Sequence, residues 1–149
     1  MRFAKNFTPV AVAVGALLGL APLASHADTV VKIGFAAPLT GPNANYGKDL
    51  ENGVKMALDD AKAQGIKING QPVSFELVAE DDQADPRVGV QVAQKLVDEG
   101  VSVVVGHFNS GTTIPASELY EKAGLPDIDP AATNPIISGR GYKNVFMVI

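Results

Sequence analysis

Cysteine and tryptophan are absent from the 149-residue sequence, and histidine occurs only twice. Without cysteine the chain can form neither a disulfide nor a thiolate metal site. A metal would therefore need carboxylates, and residues 80–85 supply four of them, but without the spacing of an EF-hand loop. The simpler interpretation of this acidic loop is a solvated turn in which Asp85 caps a helix that begins with Pro86. We expect no metal site and no cofactor.

Basic side chains are also in short supply. The chain has 12 Lys and Arg against 16 Asp and Glu, which gives a formal net charge of −4. Two of the basic residues, Arg2 and Lys5, lie close to the N-terminus, so the remainder of the chain is more acidic still. This balance argues against nucleic acid or an anionic membrane as a partner.

Long apolar runs are missing except near the N-terminus, where Arg2 and Lys5 precede an apolar stretch at 10–20. Ser25-His26-Ala27 then provides small residues at the −3 and −1 positions of a cleavage site. This is the pattern of a secretory signal peptide, and the stretch is too short for a transmembrane helix. We expect residues 1–27 to be removed. Because no cysteine follows to carry a lipid, the product should be soluble, and periplasmic in a Gram-negative cell.

From residue 29 onward, predicted strands alternate with predicted helices. Apolar β-branched runs predict strands, and apolar residues at helical spacing predict helices. The strands are expected at 29–37, 73–79, 101–105, 125–128 and 144–149, the helices at 48–64, 86–99 and 113–123, and a short segment at 136–138. Asn69-Gly70 predicts a tight hairpin before the second strand. The alternation indicates an α/β fold, an open parallel sheet with helices on both faces.

Motifs for catalysis are incomplete. A dinucleotide-binding turn needs spaced glycines after the first strand, but Pro38 stands where the helix should open. A nucleophile elbow needs glycine two residues before its serine, and here Phe108 precedes Ser110. A triad of His107, Ser110 and Asp81 is conceivable, although a single histidine at a strand end is more often a structural hydrogen-bonding residue. We therefore expect no catalytic residues and no enzyme.

Polar loops follow three of the predicted strands. They carry Tyr46, then Ser110 and Thr113, then Ala131 and Thr133. Because the carboxyl ends of parallel strands share one edge of a sheet, these loops should meet there. Hydroxyls and free N–H groups at a helix N-terminus suit a small polar ligand with a carboxylate. The alternative, that Ser110 and Thr113 only cap the helix, remains open.

Four segments, at 31–47, 80–86, 104–110 and 130–133, together suggest a known family. In their order and spacing, over essentially all of 28–149, they resemble the periplasmic branched-chain amino acid binding proteins of ABC transporters. The resemblance implies the incomplete first lobe of a two-lobed type I periplasmic binding protein. The expected organisation is a signal peptide at 1–27 and the first part of the N-terminal ligand-binding lobe at 28–149, with the second lobe absent. Since a strand is the last element, we expect a truncated chain in which one face of the sheet lacks its final cover.

Carried over residue by residue, the resemblance implies a site for a zwitterion. Ser110 would bind the α-carboxylate through its hydroxyl and N–H, and Thr133 would share it. The carbonyl of Ala131 would accept from the α-ammonium, and Tyr46 and Phe108 would border the side-chain pocket. The implied function is that of a monomeric solute receptor, which delivers branched-chain or related amino acids to the membrane permease of an ABC importer.

Alternatives for the role and for the ligand remain open. Similar scaffolds serve as extracellular ligand-sensing domains of signalling proteins, or as receptors for amides, urea or aromatic acids. The positions of a disulfide found in some relatives correspond here to Ala84 and Asn109. Asp127 and Asp129 stand where relatives favour apolar or hydroxyl residues. Because a buried unpaired Asp is costly, we expect Asp127 to find a partner or to face water.

Overall fold

The computed structural model describes residues 29–149, so the predicted signal peptide at 1–27 lies outside the described residues. Strands and helices alternate in this part of the chain as expected. In chain order they are β1 (Thr29–Ala37), α1 (Ala44–Ala63), β2 (Lys67–Ile68), β3 (Gln71–Asp81), α2 (Pro86–Asp98), β4 (Val103–Gly106), α3 (Ser110–Ala123), β5 (Asp127–Asp129), α4 (Ile136–Gly139) and β6 (Val145–Met147).

The strands form one open sheet in the order β2-β3-β1-β4-β5-β6. All pairings from β3 to β6 are parallel, which confirms the predicted parallel sheet. The edge strand β2 pairs antiparallel with β3 through the predicted hairpin and makes the sheet mixed. Asn69 and Gly70 both have positive φ, 52° and 80°, as a two-residue hairpin turn requires.

Helices cover both faces of the sheet. On one face, α2 and α3 pack together over a buried core that includes Leu96, Val104 and Tyr120. Gly34 of β1 lets this layer close in, because a Cβ there would lie 3.1 Å from a methyl group of Val101. The predicted α/β fold, with helices on both faces of the sheet, is therefore confirmed.

The opposite face carries α1 and is only partly covered. Side chains of the sheet and of α1 line an open apolar groove of about 570 Å³, including Ile33, Val105, Leu50, Val54 and Leu58. Farther along the sheet, Phe146 of β6 remains 52% exposed. The core of this part of the chain thus lies between the sheet and the α2–α3 layer.

Two helices begin earlier than the sequence pattern predicts. Helix α1 begins at Ala44 and not at 48, so Tyr46 lies in its first turn. Gly47 allows this helix start to lie against the loop after β1, since a Cβ would come 2.1 Å from the carbonyl oxygen of Pro38. Helix α3 begins at Ser110 and not at 113. Apolar periodicity misses such first turns because polar residues occupy them.

Candidate ligand-binding site

The ends of β1, β4 and β5 lie side by side. Ala36 of β1 pairs with Gly106, and Val105 of β4 pairs with Ile128. The two neighbouring backbones approach closely at Gly106, where a Cβ would lie 2.1 Å from the carbonyl oxygen of Ala36. The loops that follow these three strands therefore meet at one edge of the sheet, as the sequence predicts.

The N-terminus of α3 lies at this edge. The carbonyl of Asn109 accepts the N–H groups of Thr112 and Thr113, both at 2.9 Å, and closes the first turn. Both threonine hydroxyls donate to the same carbonyl and are fully buried. The expectation that Thr113 offers a hydroxyl to the cleft is therefore wrong, because its oxygen is held inside the helix.

Ser110 differs from these threonines. It is only half-buried, and its Oγ accepts a hydrogen bond from the backbone N–H of Asn134 at 3.3 Å. This contact joins the start of α3 to the loop after β5. The hydroxyl hydrogen of Ser110 remains free to donate, so both the hydroxyl and the helix N-terminus can serve an anionic group.

Tyr46 and Phe108 form an aromatic wall. Their ring centroids are 5.3 Å apart, with an interplanar angle of 7°. Tyr46 is 54% exposed, and Phe108 is half-buried beneath it. Since Phe108 is two residues before Ser110, the wall adjoins the helix N-terminus.

The loop after β5 supplies Ala131 and Thr133, of which Thr133 is exposed and Ala131 half-buried. A carboxylate oxygen of Asp129, Oδ1, accepts the N–H of Ala131 at 3.0 Å and of Ala132 at 2.7 Å. In the sequence, Asp129 stands out only as a departure from the family pattern. The signal that could have revealed its contacts is Asp-Pro followed by small residues, a turn in which the Asp side chain binds backbone N–H groups two and three residues on.

A similar contact secures the loop after β1. Asp81 Oδ1 accepts the N–H of Leu39 at 2.8 Å and of Gln83 at 2.9 Å, and Oδ2 accepts the Thr40 hydroxyl at 2.6 Å. Partial burial opposes the shift, but these hydrogen bonds hold the pKa of Asp81 below its ordinary value. Asp81 is therefore a structural anion that ties the loop to the end of β3.

His107 is fully buried and does not face an open site. Its Nδ1 lies 2.6 Å from Asp82 Oδ2, and its Nε2 lies 3.1 Å from the Tyr120 hydroxyl. The imagined triad is thereby excluded, because the carboxylate beside the histidine is Asp82 and not Asp81, and both ring nitrogens have partners. The interpretation of His107 as a structural hydrogen-bonding residue is confirmed.

The environment of Asp127 differs from the one that the sequence predicts. It is fully buried, and neither carboxyl oxygen has a hydrogen-bond partner within residues 29–149. Burial, and then the neighbouring charge of Asp129, raises the pKa of Asp127 well above its ordinary value, although Arg140 opposes this. For the described residues, the prediction that Asp127 finds a partner or faces water is therefore wrong. Burial thus favours the neutral form of this carboxyl group, because protonation removes most of the cost of burying it.

Metal ligands do not cluster in the part of the chain that the structure describes: no group of three or more His, Cys, Asp or Glu could hold an ion. Among the same residues, no helix combines the length and the apolar character needed to cross a bilayer. The arrangement at the sheet edge offers hydrogen-bond donors, carbonyl acceptors and an aromatic surface. These groups can bind a small ligand.

One edge of the parallel part of the sheet brings together a helix N-terminus, an aromatic wall and the loop after β5. This arrangement is typical of the class of ligand-binding α/β lobes. The family model described as a periplasmic binding protein matches residues 30–149. The chain belongs to this family.

Relatives and solved structures agree with this assignment. The chain is 43% identical over 120 residues to a Leu/Ile/Val-binding protein homolog 1 from Brucella abortus, which covers 80% of the chain and 31% of that relative. It is 41% identical over 148 residues to a leucine-, isoleucine-, valine-, threonine-, and alanine-binding protein from Pseudomonas aeruginosa, which covers 99% of the chain and 37% of that relative. The chain thus spans about a third of the length of these relatives.

Two crystal structures illustrate the range of ligands. The branched-chain amino acid transporter substrate binding protein LivJ from Streptococcus pneumoniae, in complex with isoleucine, matches with a TM-score of 0.72 and 33% identity over 80% of this chain and 33% of that one. A solute binding protein from Rhodopseudomonas palustris, in complex with 3,4-dihydroxybenzoic acid, matches with a TM-score of 0.67 and 28% identity over 79% and 31%. One type of lobe therefore occurs in proteins that bind an aliphatic amino acid and in proteins that bind an aromatic acid.

Proposed function

We propose that this chain is the first part of the N-terminal lobe of a solute-binding receptor for branched-chain or related amino acids, which works with an ABC importer. The observation that carries the proposal is the junction of Ser110 with the loop after β5, beside the free N-terminus of α3. The matched relatives named for Leu, Ile and Val binding support the same ligand class. Binding without catalysis suffices for this role.

The site offers a partner to each charged group of an amino acid zwitterion. An α-carboxylate taken from water would gain the Ser110 hydroxyl and the helix N-terminal N–H groups, with Thr133 nearby in the facing loop. The α-ammonium would donate to the carbonyl of Ala131. The aliphatic side chain would then lie along Tyr46 and Phe108, whose stacked rings present an apolar surface.

The remaining parts of the proposal concern the complete protein. We propose that its second lobe lies outside these 149 residues and that the ligand binds in the cleft between the two lobes. Residues 1–27 would direct export and be cleaved, which leaves a monomeric receptor in the periplasm. Its partner there would be the membrane permease of the importer.

An aromatic acid is the second candidate ligand. The parallel aromatic wall, with Tyr46 more than half exposed, favours a flat ring as well as an aliphatic chain. Such a ligand would use the same carboxylate position at Ser110. It would leave the ammonium acceptor, the carbonyl of Ala131, without a charged partner.

Calorimetry on the complete protein tests this proposal. We expect Leu, Ile or Val to bind, and Ser110→Ala to weaken binding by about 10- to 100-fold, as for the loss of a hydrogen bond to a charged group. Ser102→Ala is the matched control, because Ser102 is exposed and precedes β4 at the opposite end of that strand. Unchanged affinity in Ser110→Ala would refute the proposed site. Binding of 3,4-dihydroxybenzoate in place of the amino acids would select the second ligand.

A further inference from the structure

Strand β5 directs two acids to the same side. Asp127 and Asp129 are both buried, whereas Ile128 between them is half-buried on the other face. Asp129 is the last residue of the strand and pairs with Met147 of β6. The loop after β5, which carries Ala131 and Thr133, therefore begins directly after Asp129.

The hydrogen bonds of Asp129 set the direction of one peptide group in that loop. Its Oδ1 accepts from Ala132 N–H at 2.7 Å and from Ala131 N–H at 3.0 Å. The N–H of Ala132 and the carbonyl of Ala131 belong to the same planar, trans peptide group, so they point in opposite directions. By holding the N–H toward the buried carboxylate, Asp129 aims the Ala131 carbonyl away from it.

The second oxygen of this carboxylate is poorly satisfied. Asp129 Oδ2 is buried and has no hydrogen-bond partner within the described residues. The titratable groups near it are Asp127 on the same strand and His107 from the end of β4. Asp127 in turn lies near Arg140 and near Tyr120 of α3. Burial raises the pKa of Asp129, against the two loop N–H groups and His107, which lower it. Proton uptake by this group is thus easier than for an exposed Asp.

We propose that Asp129 is a positioning residue for the ligand, that its carboxylate orients the carbonyl of Ala131, and that its protonation loosens this loop and weakens ligand binding in acid. The proposal rests on the proposed function, since it takes the Ala131 carbonyl as the ammonium acceptor. A protonated carboxyl accepts N–H hydrogen bonds more weakly than a carboxylate, so the loop loses its anchor as the pH falls.

The test uses the complete protein and two variants of Asp129. Asp129→Asn keeps an oxygen that can accept both N–H groups but cannot titrate, and Asp129→Ala removes the acceptor. Asp127→Asn is the matched control, because it removes the neighbouring buried acid and leaves the loop contacts in place. The readouts are the amide proton shifts of Ala131 and Ala132 without ligand, and the Kd for L-leucine between pH 8 and pH 4.

We expect the two amide shifts to titrate together in the wild type and in Asp127→Asn, but not in Asp129→Asn. The affinity for leucine should fall with pH in the wild type and stay nearly constant in Asp129→Asn. Asp129→Ala should bind about tenfold more weakly or worse at pH 7.5. If this variant does not fold, the amide titration and the pH profile of Asp129→Asn still decide the question.

Amide shifts that do not titrate in the wild type, or an acid dependence that persists in Asp129→Asn, would overturn the proposal. A different outcome bears on the function itself. If the amides titrate as expected and leucine binds at no pH, Asp129 orients the loop and the assigned ligand is wrong.

Discussion

The ends of β3 and β5 both carry acids, and the two groups behave in opposite ways. At the end of β3, Asp81 and Asp85 accept backbone N–H groups, and these hydrogen bonds leave the pKa of each below its ordinary value. At β5, burial raises the pKa of Asp127 and of Asp129. Hydrogen bonds from backbone N–H groups outweigh burial at Asp81 and Asp85, whereas at Asp129 two such bonds do not offset burial, and Asp127 receives none within the described residues.

The position of each strand explains this difference. Asp81 ends β3, and Asp85 lies in the following loop that leads into α2, where the first helical N–H groups need acceptors. Strand β5 lies between β4 and β6, and its acids face the buried side near α3. The stability contributed by these two regions should therefore change with pH in opposite directions.

The largest effect on stability is expected at the end of β3. Asp81→Ala removes the acceptor for Leu39, Thr40 and Gln83, and we expect it to lower the free energy of unfolding by about 2 kcal/mol, after allowance for partial exposure. Urea unfolding of the complete protein measures this loss. Asp60→Ala on the exposed face of α1 is the control and should change stability by less than about 0.5 kcal/mol. Equal losses in the two variants would contradict the structural role of Asp81.

The opposite sign is expected for Asp127→Asn. Because the folded-state pKa of Asp127 is raised, its stabilising contribution is complete at acid pH and is lost as the pH rises through that pKa. Removing the ionisable group should therefore increase the free energy of unfolding at pH 7 and change it little at pH 4. Unfolding curves at both pH values test this, and a variant that is less stable at pH 7 would argue against a buried unpaired acid.

A smaller effect is expected at the helix cap. Asp85 accepts the N–H groups of Arg87 at 2.7 Å and of Val88 at 3.3 Å, and Pro86 occupies the first helical position. We expect Asp85→Ala to lower the melting temperature by roughly 5 °C. Asp85→Asn, which can still cap the helix, should lose less. The folded-state pKa of Asp85 is lowered, so the difference between Asp and Asn should disappear as the pH falls through that pKa.

Much of the fold follows from local signals in the sequence. Asn69-Gly70 predicts the hairpin of β2 and β3, and Asp85-Pro86 predicts the start of α2, since each signal depends on backbone geometry within a few residues. The early starts of α1 and α3 escape prediction because residues typical of turns, such as Asn, Gly and Ser, occupy their first turns. The structure places all five predicted site residues on loops or helix starts at one edge of the sheet: Tyr46, Phe108, Ser110, Ala131 and Thr133. Their roles toward a ligand stay predictions.

The sequence alone predicts the order of strands and helices, the parallel sheet and the edge where the polar loops meet. These follow from periodicity and turn residues, which act over short stretches of chain. Tertiary folding brings the N–H of Asn134 to Ser110, 24 residues away, and pairs His107 with Asp82 across 25 residues. It also decided that Asp81 is satisfied and Asp127 is not. The physical reason is that burial and hydrogen-bond partners are set by elements distant in sequence, so an acid's charge state cannot be inferred from its neighbours along the chain.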